Sequence, residues 1–295
     1  MRRFAFIINP KAGNNKKEKF VSHLESLASE LNFDYKLFFT EYAGHATLLS
    51  KKFAKEFDAV VAVGGDGSVN EVASGLLGSE SSLGIIAMGS GNGIARHLKI
   101  PMNPKSALRV LAKAEPTEMD VWSVGGELFF MLCGLGFDAH IANKISKVKS
   151  RGPLAYIKLV IKEFFKFKPQ KIEITWDEGS YKGLPFLTNF ANGSQFGNEV
   201  KIAPKASVKD GYLDLGIIEK MPFRLIPEII VRMWNGSLYN FKYYKTVRAK
   251  RFSVKSDYSG LNIDGEYRKC DAAFSIEQSP LKIKVLVRKE DVDSV

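Results

Sequence analysis

The chain has 295 residues and a formal net charge of +11, with 45% hydrophobic and 25% charged residues. That length exceeds one average domain and that apolar content supports real cores, which excludes a disordered chain and predicts one large or two modest domains. The positive charge asks for an acidic partner, whether nucleotide, nucleic acid or anionic membrane. Cys133 and Cys270 lie far apart without C-x-x-C spacing, so neither a disulfide framework nor a structural zinc site is expected, and a reducing cytoplasm is the simpler setting.

The opening MRRFAFIINP has a basic start and a short apolar run, but Asn9 and Pro10 follow at once and no small-residue cleavage site appears. It reads as a first β-strand rather than a signal peptide. A polar helix around 15–31, the strand FDYKLFFT, a helix near 44–56, the strand DAVVAVGG and a further helix follow. LGIIAMGSGN with a helix after it and the helical pattern NPKSALRVLAKA complete the first part. Such alternation predicts βαβ units around a mostly parallel sheet. After about residue 122 the texture changes to alternating segments such as GELFFMLCGLGF, QKIEITWDEG, LPFLTNFANG, YLDLGIIEK, RFSVKSDYSG and LKIKVLVRK, separated by Gly, Asp, Asn and Pro. These predict an antiparallel sheet domain with helical interruptions near 140–168 and 222–236. No repeat or Pro-rich linker separates the halves, so they are expected to pack closely around a cleft. Lys or Arg breaks the greasiest segments, 154–168 and 221–234, short of the roughly 20 apolar residues a membrane span needs.

The strongest local signal is VVAVGGDGSVNEV, residues 60–72, an apolar strand running through a Gly-rich turn into a helix. Backbone N–H groups at such a turn suit phosphate oxygens, and Gly64, Gly65 and Gly67 allow close approach. Asp66 is odd beside an anion unless it works through a metal, a water or a hydroxyl donor, so it hints at Mg chemistry. Two further small-residue turns, NPKAGNN at 9–15 and MGSGNGIAR at 88–96, follow apolar strands and are placed to converge on the same site. The plainer alternative for each is a tight loop with an Asn in left-handed geometry. Neither G-x-x-x-x-G-K-[ST] nor G-x-G-x-x-G after the first strand is present, which argues against Walker-type NTPases and ordinary dinucleotide enzymes.

GGDGSVNE, together with NPKAG, TEYAGHA at 40–46, GSGNGIAR and the distant NIDGE, resembles the diacylglycerol kinase catalytic family, which includes sphingosine, ceramide and bacterial lipid kinases. The resemblance covers nearly the whole chain. It implies an α/β fold: an N-terminal ATP-binding domain over 1–122, similar to NAD kinase and phosphofructokinase, and a C-terminal antiparallel β-sandwich lipid-substrate domain over 123–285. The tail from about 286 to 295 is free to return to the first domain. It also implies a kinase that moves the ATP γ-phosphate to a lipid hydroxyl, diacylglycerol first, with Mg2+. By motif, Asn9, Lys11, Gly13, Thr40, Gly64, Gly65, Asp66, Gly67, Ser68, Val69, Asn70 and Ser90 are carried over as ATP-binding residues, with Asp120 as a further candidate for the Mg network. Asp264 is carried over as general base and Glu266 as its companion. KASVKDGYLDL resembles a family Mg-binding loop, placing Ser207, Asp210 and Tyr212 around a second, structural ion. For Asp210 and Asp264 the residues alone also read as turn aspartates before glycine. Where many bacterial relatives have G-T-A-N-D or G-T-G-N-D, this chain has Gly89-Ser90-Gly91-Asn92-Gly93, which keeps the hydroxyl, loses the acid and leaves the lipid open.

Lys144, Lys147, Arg151, Lys158, Lys162 and Lys166 recur at three- and four-residue spacing among Leu154, Ile157, Val160, Ile161, Phe164 and Phe165. If helical, they form a basic amphipathic surface for peripheral contact with an anionic membrane; the alternative is a solvated helix face over a core. His23, His45, His97 and His140 have no metal spacing, and the N-G-S matches at Asn192 and Asn235 are read as chance. A sister kinase acting on sphingosine, ceramide or NAD, and a non-enzymatic basic binding protein, stay open as alternatives. Nucleic acid is not expected as a partner, since no aromatic-rich RNA-binding signature appears; a homodimer stays open.

Overall fold

The computed structural model describes residues 1–12, 16–145, 147 and 153–292. In chain order the first part comprises β1 (Arg2–Ile8), α1 (Lys16–Glu30), β2 (Phe33–Phe39), α2 (His45–Phe53), β3 (Ala59–Gly64), α3 (Asp66–Leu76), β4 (Ser82–Ala87), the short α4 (Gly93–His97), α5 (Pro104–Lys113) and β5 (Glu115–Met119). Strands β2, β1, β3 and β4 are neighbours in that order and all parallel. The central strands AVVAVG and SLGIIA are buried at every position, as expected of parallel strands covered by helices on both faces. Helix α5 begins where Asn103 accepts from the N–H groups of Lys105 and Ser106, with Pro104 at its first turn.

The second part comprises β6 (Trp122–Val124), β7 (Glu127–Phe129), β8 (Leu132–Gly136), α6 (Phe137–Ile145), α7 (Pro153–Lys166), β9 (Ile172–Trp176), β10 (Gly179–Gly183), β11 (Leu187–Ala191), β12 (Gln195–Gly197), β13 (Val200–Lys201), β14 (Leu213–Ile218), α8 (Ile226–Asn235), β15 (Tyr244–Ala249), β16 (Arg251–Ser256), β17 (Gly260–Ile263), β18 (Glu266–Lys269), β19 (Ala273–Gln278) and β20 (Ile283–Val287). Two six-stranded sheets, β10-β9-β16-β19-β6-β7 and β15-β14-β11-β8-β17-β18, form a sandwich; β12 and β13 make a separate hairpin. Strand β16, RFSVKS, alternates exposed and buried along its whole length, one face on the core and one in water. Between the sheets lie Trp122, Phe129, Ile174, Phe190, Leu215 and Phe252. The α/β first domain and the antiparallel sandwich expected from the sequence are both present.

Strand β20 returns to the first sheet, parallel to β4 and antiparallel to β5. The segment LKIKVLVRK, read among the second domain's strands, is therefore the sixth strand of the first sheet, and the return begins at Ile283 rather than near 286. Its apolar residues explain the difference: Ile283, Val285, Leu286 and Val287 are buried in the first domain's core. The chain thus crosses between domains twice, and Asp120 ties the crossings together. Its Oδ2 accepts from Gly211 N at 2.7 Å, its Oδ1 stands 3.3 Å from Lys282 Nζ, and Val121 O accepts from Ser279 N.

Candidate active-site cleft

Three turns meet at the carboxyl ends of β1, β3 and β4. Asn9, just past β1, donates from Nδ2 to Ser68 Oγ at 3.2 Å, and its Oδ1 accepts from Lys11 N at 2.9 Å. A Cβ on Gly64 would stand 2.4 Å from Ser68 Oγ, and one on Gly89 would stand 2.6 Å from Gly65 Cα. Only glycine lets these turns touch, which is the physical reason for the G-G-D-G and M-G-S-G runs. Thr40 sits beside them at the end of β2, its N–H donating to Ile8 O. Gly67, Ser90 and Lys11 are exposed at the turns. Val69 differs: its side chain is 3% exposed and lies in the core, and its N–H donates to Gly65 O. Gly13 lies outside the described residues.

Asp66 has a partner the sequence reading did not foresee. Its carboxylate accepts from the backbone N–H groups of Asn92, Gly93 and Ile94 at the start of α4. A negative side chain there satisfies the helix's free N–H groups and opposes its dipole. Burial raises its pKa while those hydrogen bonds lower it. Asp66 therefore also shapes the Ser90 turn. Asn92, with φ 53, pins the same turn from within, its Oδ1 accepting from Gly89 N and its Nδ2 donating to Gly89 O. From the second domain, Asn198 N donates to Gly91 O, and Arg96, which also donates to Gly91 O, pairs with Glu199 at 2.8 Å. Buried His97 accepts from Ser194 N at Nδ1; burial first, then the charge of Lys99, pushes its pKa down to about 4, so it is a neutral strut between the domains.

Asp264 lies across the cleft in the two-residue turn from β17 to β18, with φ 47, followed by Gly265 at φ 93. Successive left-handed residues favour Asn or Asp, then Gly, which is why the motif reads D-G. Its Oδ1 accepts from Met131 N and Leu132 N, both at 2.9 Å; its Oδ2 accepts from Phe130 N at 2.7 Å and Asn70 Nδ2 at 3.2 Å. Burial pushes its pKa up to about 6 against the pull of the three backbone N–H groups, and the negative charge of Asp66 adds to the rise. Glu266 is exposed at the lip, 2.6 Å from Arg268, and its Oε1 faces Gly67. Asn192, which the sequence reading set aside as a chance glycosylation match, fastens the cradle of Asp264. Fully buried, it donates to Phe130 O and Asp120 O and accepts from Trp122 Nε1.

The loop of Ser207, Asp210 and Tyr212 lies at the interdomain crossing. Asp210 Oδ1 accepts from Tyr212 N, and its Oδ2 is held by the Arg248 guanidinium. Arg248 lies 4.8 Å from the Tyr212 ring centroid and Lys250 lies 5.1 Å from it. The sequence reading expects a structural Mg2+ held here by one carboxylate and backbone carbonyls; the Asp210 carboxylate pairs with the Arg248 guanidinium, and Lys250 stands close by. Among the described residues no group of three or more His, Cys, Asp or Glu is arranged to hold a metal. Asp120, a further candidate for the Mg network, lies beside this loop and accepts from Gly211 N.

In α7, Lys158, Lys162 and Lys166 are exposed with Ile161 and Phe165, while Val160 and Phe164 pack inward. Lys144 turns toward Glu163 at 4.0 Å. Arg151 lies outside the described residues. Among the described residues no helix is long and apolar enough to cross a membrane.

A parallel α/β domain whose strand-end turns face an aspartate presented by a β-sandwich defines a two-domain enzyme of the kinase-like α/β class. The diacylglycerol kinase catalytic domain model matches residues 3–124, and the YegS C-terminal NAD kinase beta sandwich-like domain model matches residues 132–287. The chain is 31% identical over 278 residues to a diacylglycerol kinase of Bacillus subtilis, covering 90% of each. To one of Staphylococcus saprophyticus it is 32% identical over 277 residues, covering 90% of this chain and 89% of the other. The fold matches a Bacillus anthracis crystal structure described as a diacylglycerol kinase, with TM-score 0.77 and 21% identity over 98% of both chains. The chain belongs to the diacylglycerol kinase family.

Proposed function

We propose that this enzyme transfers the γ-phosphoryl group of ATP to a lipid hydroxyl, with diacylglycerol as the first acceptor to test, working at the cytoplasmic face of a membrane. The observation that carries the reading is the junction of Asn70, on the phosphate-turn helix, with Asp264, on the sandwich. It brings a phosphate-type site and a candidate base to the two walls of one cleft. ATP phosphates are assigned to the backbone N–H groups of the Gly64–Ser68 and Ser90 turns, with Asn9, Lys11 and Thr40 at the rim. Mg2+ enters as the MgATP substrate and supplies charge neutralisation on the phosphates.

Phosphoryl transfer needs mainly positioning and charge neutralisation. The acceptor oxygen attacks the γ-phosphorus, its proton passes to the Asp264 carboxylate, the bond to the β–γ bridging oxygen breaks, and ADP leaves. Four donors occupy the four acceptor directions of Asp264, so one must yield to the incoming hydroxyl. Asn70 makes the longest of the four bonds and comes from the opposite domain, so it is the one assigned to yield. Glu266 is assigned to the acceptor side. Lys158, Lys162 and Lys166 support contact with anionic headgroups, each cation worth about 1 kcal/mol near such a surface.

The test is transfer of label from ATP to diacylglycerol, phosphatidylglycerol, sphingosine, ceramide and undecaprenol in mixed micelles, with NAD as a soluble control. One labelled lipid supports the reading and names the acceptor; labelling of NAD alone moves the enzyme to the NAD kinases.

A further inference from the structure

We infer that α8, with Phe223 just before it, is an apolar wedge that inserts into the acyl region of an anionic bilayer and fixes the cleft against the membrane surface. Helix α8, IPEIIVRMWN, is apolar on two adjoining faces. Ile229 is buried, and Ile226 and Met233 pack on the cluster that includes Phe186, Ile202 and Leu238. The other face carries Pro227, Ile230, Val231 and Trp234, the i, i+3, i+4, i+7 positions of one stripe. Ile230, Val231 and Trp234 are 58%, 55% and 65% exposed, where a helix facing water carries charge. The two charges of α8, Glu228 and Arg232, pair with each other at 2.8 Å and leave the stripe neutral.

The stripe continues onto α7. Phe223, itself half exposed, lies 4.5 Å from the ring of Phe165, which is 63% exposed. Exposed apolar surface of this extent marks an interaction site. Its flanks choose the occupant: exposed Lys158, Lys162 and Lys166 on α7 and Lys220 and Arg224 before α8 surround the apolar ridge with cations. A second copy docking on this face by two-fold symmetry would set those cations against one another, whereas anionic headgroups neutralise them while the ridge enters the acyl chains. Trp234 at the last turn suits the headgroup boundary. The helix also sits close to the chemistry. It packs on β13, and the hairpin of β12 and β13 grips the Ser90 turn through Asn198, which donates to Gly91 O, and Glu199, which pairs with Arg96.

This inference rests on the lipid-kinase reading, and its test separates the two. The full chain is mixed with phosphatidylcholine vesicles with and without phosphatidylglycerol, and tryptophan emission is read with lipids brominated along the acyl chain. A blue shift and quenching that need the anionic lipid and vanish in Trp234→Phe are expected. Ile230→Ser with Trp234→Ser should lower vesicle affinity by about tenfold or more, from the apolar area withdrawn, while turnover on a water-dispersed short-chain acceptor stays at the wild-type value. Undiminished vesicle binding by the double variant, or Trp234 emission untouched by brominated lipid, overturns the wedge and leaves the kinase reading intact. Loss of a concentration-dependent dimer in the double variant, with vesicle binding unchanged, assigns the stripe to a second copy and also overturns it. No turnover of any lipid by the wild-type enzyme removes the kinase reading, and quenching still decides the wedge.

Discussion

The second domain holds two Asp-Gly turns that look alike in one dimension and behave differently in three. Asp264-Gly265 closes a tight hairpin that aims its carboxylate inward at three backbone N–H groups and at Asn70 of the other domain. Asp210-Gly211 lies on an open loop, and its carboxylate turns to Arg248. The first is fixed by backbone donors that leave a negative group facing the cleft; the second is neutralised by a cation of its own fold. An Asp-Gly pair announces a turn, and the surrounding donors decide whether the acid is available for chemistry.

The largest expected effect tests the Asp264 side of that contrast. Asp264→Asn should lower kcat by about 10²- to 10⁴-fold, the usual contribution of a general base, with the ATP dissociation constant unchanged by calorimetry; wild-type turnover would remove Asp264 from the base role. The pH profile follows from its pKa near 6. The base acts when ionised, so kcat should rise with pH through about 6 and level off above it, and the residual rate of Asp264→Asn should lack that limb.

Next comes Asp66, the first domain's own Asp-Gly. Asp66→Asn puts an amide where three N–H groups converge, and the loss of hydrogen bonds to a charged group, about 1.5 to 3 kcal/mol, should fall on ATP. Its kcat/KM is expected to drop about ten- to hundredfold, mainly through KM. A pure kcat defect with normal KM would show that Asp66 acts on the reacting groups instead. Asn70→Ala is smaller still. It removes one bond to Asp264 and should change kcat by about tenfold or less, with the rise near pH 6 displaced because the carboxylate loses a donor.

Much of this was legible in the sequence because the chemistry forces rare residues into fixed places. Gly64, Gly65 and Gly89 are dictated by a close approach of backbones, and the alternation of Val and Ile runs with helical patterns already marks a parallel sheet. Asp264 is legible as a turn and, through the family motif, as an acid at the cleft. The partner of Asp66 was not legible, since its three N–H donors come from residues 92–94, joined to it only by the sheet's folding. Asn192 was hidden for the same reason: its donors and acceptors at 120, 122 and 130 lie 72, 70 and 62 residues away in sequence. Strand β20 was misplaced because apolar alternation states that a strand exists without saying which sheet has a free edge. Arg248 looked like any exposed cation on an outer strand.

The smallest effect is expected at Arg248, and it sharpens the opening contrast most directly. If the guanidinium serves as the permanent counter-ion of Asp210, the wild-type melting temperature should be indifferent to added Mg2+ in the absence of ATP. Arg248→Ala leaves Asp210 with only the Tyr212 N–H and opens its outer oxygen, so a Mg-dependent rise in melting temperature should appear in the variant, with kcat near wild type when Mg2+ is abundant. A ligand stabilises only the state that binds it, by an amount that grows with its concentration over its dissociation constant, so the two titrations differ in slope and not merely in offset. A wild-type melting temperature that climbs with Mg2+ alone, and climbs no longer in Asp210→Asn, would show that the ion displaces Arg248 and that the two Asp-Gly turns are both working acids.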